Sequence, residues 1–477
     1  MTIRVEVPEE LEGLARAFEE LVKNVQKEQK KAPGGRAVDY AKIECSIAEN
    51  SAEIERAAHQ GVLQSLDVDQ PAVLIGGTKY NRVGRYASKY YTLAGPVEVE
   101  RSVYRQSGQR GGQPEARVID AVSLRVGVVG DGWLPQTARA MAHAMQKATS
   151  REAESGQHEV FRLPYSRSSF ESVAHEVGAL AVASREDVHD ALIETYAVPD
   201  EARSVSVSLD RVTVPMEEPL PRPVGRPKKG APKRPVQRNF RQAYCGTVTL
   251  HDKLGEALHT IRVGCMPQGD ATELCQRMAG DVLSILCNHP ELKLELLCDG
   301  APEMWNLLEE QFTPENFGEM HRLVDFHHLI EKLGCAASVI DGTASSATVA
   351  RWKLLLLNEP TAARQILAEL IASDKENERV ADSCPVHAAI TYLQTHSVNT
   401  DRMNYSRARA LGLPIGSGNV EAACKSLFEL RLKRNGSRWK EDTGLHIVQL
   451  RAFALSDWWA GAIELTLAPL RKAVRVA

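Results

Sequence analysis

The run Ser204-Val205-Ser206-Val207-Ser208-Leu209-Asp210 alternates small polar and apolar side chains without a break and closes on an acid. That two-residue period belongs to an extended strand, and Val212-Thr213-Val214 follows directly. Further on, 243–250 and 258–265 alternate in the same way and are rich in β-branched residues, which predicts two more strands. A helical pattern over 270–287 then leads into Leu292-Lys293-Leu294-Glu295-Leu296-Leu297-Cys298-Asp299, an apolar run that also closes on an acid. A helix at about 303–312 and a short strand at 323–328, itself running into a helix, complete the series. Strand, strand, strand, helix, strand, helix, strand, helix is the order of a mixed sheet with helices on its flanks.

That order, with acids on the first and fourth strands, is the order of an RNase H-like fold: a mixed five-stranded sheet, flanking helices and an all-helical insertion. The insertion is expected at 329–410, with apolar centres at 352–357 and 362–371. Residues 415–470 read as helical again. Upstream, 8–31 is an amphipathic helix stopped by a Pro-Gly-Gly sequence, and 39–65 is a second. The period changes over 80–105, where Gly95-Pro96 separates two β-rich runs and predicts a small β-hairpin. From 116 to 200 the pattern is mostly helical, notably at 137–147 and 169–182. Residues 163–171 could open the second helix of a DNA-reading helix pair, but their acidic surroundings favour packing. The expected division is a helical arm at 1–70, a hairpin-plus-helix accessory domain at 71–200, and a catalytic domain at 201–328 and 411–477. The insertion at 329–410 and a basic, Pro-rich loop at 219–241 interrupt that catalytic domain.

A chain of 477 residues exceeds one ordinary core. Its 43% apolar content and formal charge of −4 describe a globular protein. The mean conceals a segregation of charge. Residues 151–200 carry four Arg and no Lys against ten acids, whereas 221–241 carry eight basic residues and no acid. The last 77 residues hold thirteen basic against seven acidic. Local basic patches on a near-neutral chain point to a polyanionic partner. Nine cysteines without any Cys-x-x-Cys spacing argue against a disulfide framework or a zinc site; Cys265, Cys275, Cys287 and Cys298 are expected as buried free thiols. The N-terminus lacks the pattern of a secretory signal, and no apolar run reaches spanning length. A cytoplasmic setting without membrane contact is therefore expected.

Asp210 and Asp299 would lie side by side at one edge of such a sheet. Glu421, in the first turn of a segment opened by Gly416-Ser417-Gly418-Asn419, could reach them from a late helix. Each acid alone has an ordinary explanation, as a turn former or as a favourable charge at a helix start. Together they form a set of hard oxygen ligands, and two close carboxylates favour a cation between them. Mg2+ is the expected ion, with Mn2+ as an alternative, for phosphodiester chemistry. Ser417 or Asn419 would cap the Glu421 helix.

The strings Ser208-Leu209-Asp210-Arg211-Val212-Thr213-Val214-Pro215, Cys298-Asp299-Gly300-Ala301-Pro302-Glu303-Met304-Trp305 and Val324-Asp325-Phe326-His327-His328-Leu329 resemble the ISKra-type insertion-sequence transposases. So does Gly412-Leu413-Pro414-Ile415-Gly416-Ser417-Gly418-Asn419-Val420-Glu421-Ala422-Ala423-Cys424-Lys425, followed by the basic run 431–439. The likeness covers about 200–460. It implies that Asp210, Asp299 and Glu421 form a DDE metal-binding triad, and that the chain cleaves and joins double-stranded DNA at terminal inverted repeats of an insertion sequence. It also implies a homo-oligomer acting on paired ends, for which the 8–65 helices are the first place to look. Relatives often carry paired cysteines near the N-terminal hairpin; here the segment 104–112 has none, so no zinc is expected there. The alternative function is a catalytically silent DNA-binding protein derived from a transposase.

Two basic stretches are candidate DNA contacts. Arg226, Lys228, Lys229, Lys233 and Arg234 lie in the Pro-rich loop, where Val224-Gly225-Arg226-Pro227-Lys228-Lys229 resembles the core of an AT-hook. Arg of that kind enters a narrow, electronegative minor groove, although a solvated connector has the same composition. Arg431, Lys433, Arg434 and Arg438 follow Glu421 with no acid from 430 to 440, and are expected to continue its helix toward a DNA strand. Asp325, His327 and His328 are candidates for active-site support near the end of the fifth strand.

Overall fold

The computed structural model describes residues 6–31, 37–109, 118–220, 230, 236–376 and 384–477. The chain divides into two compact units, Met1–Val188 with Ala460–Ala477, and His189–Trp459.

In the first unit the two helical patterns form α1 (Glu12–Lys31) and α2 (Tyr40–Ser65). The hairpin expected at 80–105 is present, and it is the centre of a larger sheet. Strands β2 (Thr78–Thr92) and β3 (Gly95–Gln106) pair along almost their whole length, and β1 (Ala72–Ile75) and β4 (Val118–Asp120) extend them. The two-residue strand Arg475–Val476 pairs with β1 and completes a five-stranded sheet. Residues 460–477, read from the sequence with the catalytic domain, therefore group with this unit, because their backbone groups are satisfied there. Leu63 of α2 packs against Tyr90, Val97 and Val99, and Gln64 exchanges hydrogen bonds with the Glu100 backbone at 2.8 and 3.1 Å.

Four helices follow: α3 (Ala121–Val126), α4 (Pro135–Lys147), α5 (Ser150–Glu159) and α6 (Arg167–Ala183). Thr149 and Glu152 form a capping box on α5, and Ser166 caps α6. Phe170, Val173, Ala174, Val177 and Ala181 are fully buried. So one face of α6 belongs to the core, while Arg167, Ser168, Glu171 and Ser172 are exposed.

The second unit opens within α7 (Arg185–Glu194) and contains the RNase H-like sheet. Its strands are β5 (Ser204–Pro219), β6 (Val236–His251), β7 (Ala257–Cys265), β8 (Lys293–Cys298) and β9 (Met320–Val324), in the order β7-β6-β5-β8-β9. The first three are antiparallel, and β8 and β9 run parallel to β5. Helices α8 (Ala271–Asn288), α9 (Pro302–Gln311) and α10 (Pro314–Phe317) join them. The insertion is α11 (Phe326–Ile340), α12 (Ser345–Asn358), α13 (Ala362–Glu376), α14 (Pro385–Leu393) and α15 (Tyr405–Ala410). Last come α16 (Gly418–Ala423), a π-helical segment Cys424–Glu429, α17 (Leu430–Leu432) and α18 (Glu441–Leu455). With α19 (Trp459–Leu467) the chain returns to the first unit.

Alternation in β5 sorts its two faces. Val205, Val207 and Leu209 enter the large core with Leu274, Met278 and Val282 of α8. Ser204, Ser206, Ser208 and Asp210 share the other face. Beyond Asp210 that face turns apolar: Val212, Val214 and Met216 pack with Leu427, Phe428, Ile447 and Val448. Asp210 marks the changeover. It does not end the strand, contrary to the sequence expectation, since β5 continues to Pro219. What stops is its neighbour: β8 pairs with β5 only over Ser204–Val207. Past that point the vacated edge of β5 is taken by Trp439, which exchanges backbone hydrogen bonds with Pro215 and Glu217 at 3.0 and 2.7 Å.

All nine cysteines are free, and Cys287, expected inside, is exposed. Among the described residues no helix is long and apolar enough to cross a membrane.

Candidate active site

The sheet register itself gathers the acids. Ser206 stands opposite Glu295, and Val207 opposite Leu296; carried forward three residues, the same register sets Asp299 beside Asp210. On the other side Cys298 stands opposite Val324, and the Asp325 N–H donates to the Cys298 carbonyl at 2.8 Å. Asp210, Asp299 and Asp325 thus form one row at the point where the parallel strands end. Helix α16 packs against β5 and β6, and Glu421 in its first turn lines the same cavity as Asp210 and Asp299. Leu209, Asp210, Asp299, His327, His328, Glu331, Ser417, Val420 and Glu421 line one cavity of about 190 Å³.

Each carboxylate is held locally. Asp210 accepts the Arg211 N–H at 2.7 Å and the Cys424 thiol at 3.6 Å. Burial raises its pKa, and the Asp299 charge adds to the rise, against the lowering effect of the Arg211 N–H. Asp299 accepts the Ala301 N–H at 2.9 Å, while its own carbonyl accepts the Trp305 indole at 2.7 Å. Gly300 follows with no room for a side chain, because the ring of Tyr392 from α14 lies where a Cβ would stand.

Asp325 is buried and fully engaged. Its Oδ1 accepts the His328 N–H at 2.7 Å, and its Oδ2 accepts the Ser417 hydroxyl at 2.9 Å and the Ser417 N–H. Burial works against its ionisation, yet these donors hold its pKa below the ordinary carboxylate value. Ser417 therefore does not cap α16 with its hydroxyl, as the sequence had suggested, because Asp325 has captured it. Gly416 permits the close approach: a Cβ there would meet His327 Cδ2 at 2.9 Å. The loop that launches Glu421 is thereby tied to the end of β9.

The candidate DNA-binding residues divide. Arg226, Lys228, Lys229, Lys233 and Arg234 lie outside the described residues. After Glu421 the chain does not continue as one regular helix. It widens into the π-segment, whose carbonyls at Ser426 and Leu427 accept the buried Arg451 guanidinium, and ends its last helical turn at Leu432. Arg431 is buried, its guanidinium 5.0 Å from the Trp439 ring centre, so it is not positioned to touch DNA as expected. Lys433 pairs with Glu429 at 2.6 Å, and Arg438 is exposed but pairs with Glu217 at 3.1 Å. Arg434 is half-buried and donates to the Leu430 carbonyl at 3.2 Å.

Sequence reasoning missed Glu331, Cys424 and the role of Ser417. Glu331 stands three residues after His328, a helical spacing that could have placed it on the same wall. Nothing in the sequence signalled that Cys424 would reach Asp210.

Among the described residues the cavity's polar lining is carboxylates, imidazoles and Ser417, without Lys or Arg. Among the described residues the ligand atoms that lie within 4.8 Å of one another belong to Asp325, His328 and Glu421, while Asp210 and Asp299 line the same cavity without joining that set; carboxylates gathered in this way suit a divalent ion such as magnesium or manganese.

No protein-family model matches the chain, and no curated protein matches it. Solved structures do. A Mos1 transposase paired-end complex with the left transposon end is 12% identical, covering 84% of this chain and 100% of that one, with a TM-score of 0.16. A Mos1 mariner paired-end complex with Mn is 11% identical, with 56% and 98% covered and a TM-score of 0.15. A pre-cleavage Mos1 transpososome is 11% identical, with 83% and 99% covered and a TM-score of 0.15. Similarity at that level carries no weight for the site; the fold assignment rests on strand order and register.

Proposed function

We propose that this chain is a DDE transposase of the ISKra type, cleaving and joining DNA strands at the terminal inverted repeats of an insertion sequence. The observation that carries the reading is the meeting of Asp210, Asp299 and Glu421, from three separate elements and over two hundred residues of sequence, in one cavity whose described lining holds no Lys or Arg. In this reading Asp210 and Asp299 hold the ions from the sheet, and Glu421 closes the site from α16. A divalent ion bound there supplies an activated water or 3′-hydroxyl and stabilises the leaving oxygen. Asp325, by fixing Ser417, sets the start of α16 and hence the reach of Glu421. His327 and His328 form the wall beside the acids. Arg434, Lys433 and Arg438, at the end of the Glu421 segment, and the basic loop 219–241 contact the DNA backbone. Pairing of two ends by a homo-oligomer belongs to the same proposal.

The test is cleavage of a labelled element end in Mg2+, comparing the wild type with Asp299→Asn. The amide keeps the shape but removes charge that opposes the ion. Loss of several kcal/mol of transition-state stabilisation corresponds to a rate fall of roughly 10²–10⁴. Equal cleavage by both proteins removes the triad. Binding of the end by a wild type that never cleaves it favours the silent DNA-binding protein instead.

A further inference from the structure

A second cavity, of about 570 Å³, adjoins the acids. His327 lines both, and so does the loop that launches Glu421: Ser417 lines the acid cavity, and Gly416, Gly418 and Asn419 line this one. Its charge is of the other sign. Lys253, in the turn between β6 and β7, and Arg409, near the end of α15, line it, and among the described lining residues Glu256 is the one acid. Both cations are exposed, and among the described residues neither pairs with a carboxylate. The Arg409 guanidinium donates to the Leu357 carbonyl at 3.1 Å.

The walls of this cleft are set by backbone. His251 anchors the turn, with its Nδ1 3.0 Å from the Gly255 carbonyl and its Nε2 2.7 Å from the Ser206 hydroxyl. Asp252 braces it further, accepting the Leu254 and Glu256 N–H groups at 2.8 and 3.0 Å. Gly412 has a φ of 72°, and a Cβ there would stand 2.5 Å from the Lys253 carbonyl. The turn that carries Lys253 and the loop that leads to Glu421 therefore meet with no side chain between them.

The acid cavity by itself repels a nucleic-acid strand. Asp210, Asp299, Glu331 and Glu421 line it, and every phosphodiester brings a further negative charge. A strand that enters needs cations beside the acids. Along the segment after Glu421, Arg431 is buried and Lys433 and Arg438 are already paired. The adjoining cleft offers Lys253 and Arg409, residue types that hold phosphate oxygens, in a volume of the size that takes a small ligand. Leu254, beside Lys253 at the tip of the turn, is 73% exposed, and an exposed leucine next to a cation suits contact with a base.

We propose that this cleft binds the DNA strand beside the reacting phosphate, with Lys253 and Arg409 on phosphate oxygens and Leu254 against the neighbouring sugar or base. The proposal rests on the acids being a DNA-processing site, and it adds the place where the strand lies next to them.

The experiment uses the full chain without divalent ion, so that nothing is cleaved, and a labelled oligothymidylate of about eight nucleotides as the probe. Saturating oligonucleotide is expected to slow the acetylation of Lys253 severalfold, read by mass spectrometry, while the exposed Lys353 of α12 reacts as before. In the variant Lys253→Ser with Arg409→Ser, the slope of log affinity against log salt concentration becomes shallower by about 1.4, at about 0.7 for each contact on a single strand. A melting curve checks that variant, and Lys253→Ser alone, on an exposed turn, carries the same test with a change of about 0.7. An oligonucleotide that binds while Lys253 reacts at its free rate and the slope stays put overturns the cleft and leaves the acids' role intact. Equal protection by thymidine monophosphate makes the cleft a site for free nucleotides and overturns the strand reading. Protection of Lys253 in a chain that never cleaves an element end overturns the transposase reading and leaves the cleft as a DNA site.

Discussion

Asp299-Gly300 is an ordinary turn pair by composition, and the turn explanation is incomplete. Gly300 does not occupy the left-handed region; what it lacks is space, because the Tyr392 ring fills the place of its Cβ. A residue from α14 thus fixes the backbone on which Asp299 stands. Gly300→Ala must push apart α14 and the end of β8, an overpacking that costs about 1–3 kcal/mol. Urea unfolding should report that loss, and cleavage should fall with it. Combining Gly300→Ala with Tyr392→Ala should recover part of both, since the pair shares one contact. An alanine at 300 that melts and cleaves like the wild type would show the contact to be slack. At this scale the sequence singled out Asp210, Asp299 and Glu421 by residue type, and the three line one cavity. The work of Tyr392, Ser417 and Asp325 was hidden, because it depends on partners about ninety residues away.

Elements were legible where periodicity is long and misread where it is broken locally. The alternation of 204–210 breaks at Asp210-Arg211 and resumes over 211–214 with its phase reversed; that break, with the acid, suggested a stop that only β8 makes. The π-segment after Glu421 has no counterpart in a period of 3.6, and it removes Arg431 from the expected basic stripe. Glu295 in β8 was also concealed, inside a run that looks simply apolar. It lies fully buried, opposite Ser206 and His321, with neither carboxyl oxygen hydrogen-bonded. Burial raises its pKa well above the ordinary value. Below about pH 4.3 both folded and unfolded chains hold the proton and the group is neutral toward stability. As pH rises the unfolded chain ionises first, so folding becomes progressively less favourable until the folded carboxyl also ionises. Glu295→Gln carries no such proton. Its melting temperature, close to that of the wild type at pH 4, should exceed it by a margin that widens from pH 5 to pH 8. A margin independent of pH would mean that Glu295 titrates normally.

For the whole molecule, charge was the clearest guide and the arrangement of the chain the least clear. The tally of Lys and Arg over 219–241 pointed to a polyanion, and the strands that flank the segment are described. The β5–β6 hairpin keeps its register out to Pro219 and Val236, nine residues beyond Asp210, which at about 3.3 Å per residue is roughly 30 Å from the acids. There Arg238 stacks on the exposed Phe240 at 4.9 Å, and Arg241 pairs with Glu218 at 2.7 Å. A basic segment joining those two strand ends would bind DNA separately from the acids, so affinity and chemistry should separate. Replacing Arg222, Arg226, Lys228, Lys229, Lys233 and Arg234 with serine removes up to six phosphate contacts. Each contact contributes about 0.9 to the slope of log affinity against log salt concentration on duplex DNA, so the slope should become shallower by as much as about 5. Asp299→Asn, by contrast, should leave that slope unchanged while abolishing cleavage. If the serine variant keeps the wild-type slope, the loop is a solvated connector and DNA must be held elsewhere. If it loses slope yet still cleaves at saturating DNA, the loop supplies binding alone and the acids supply the chemistry.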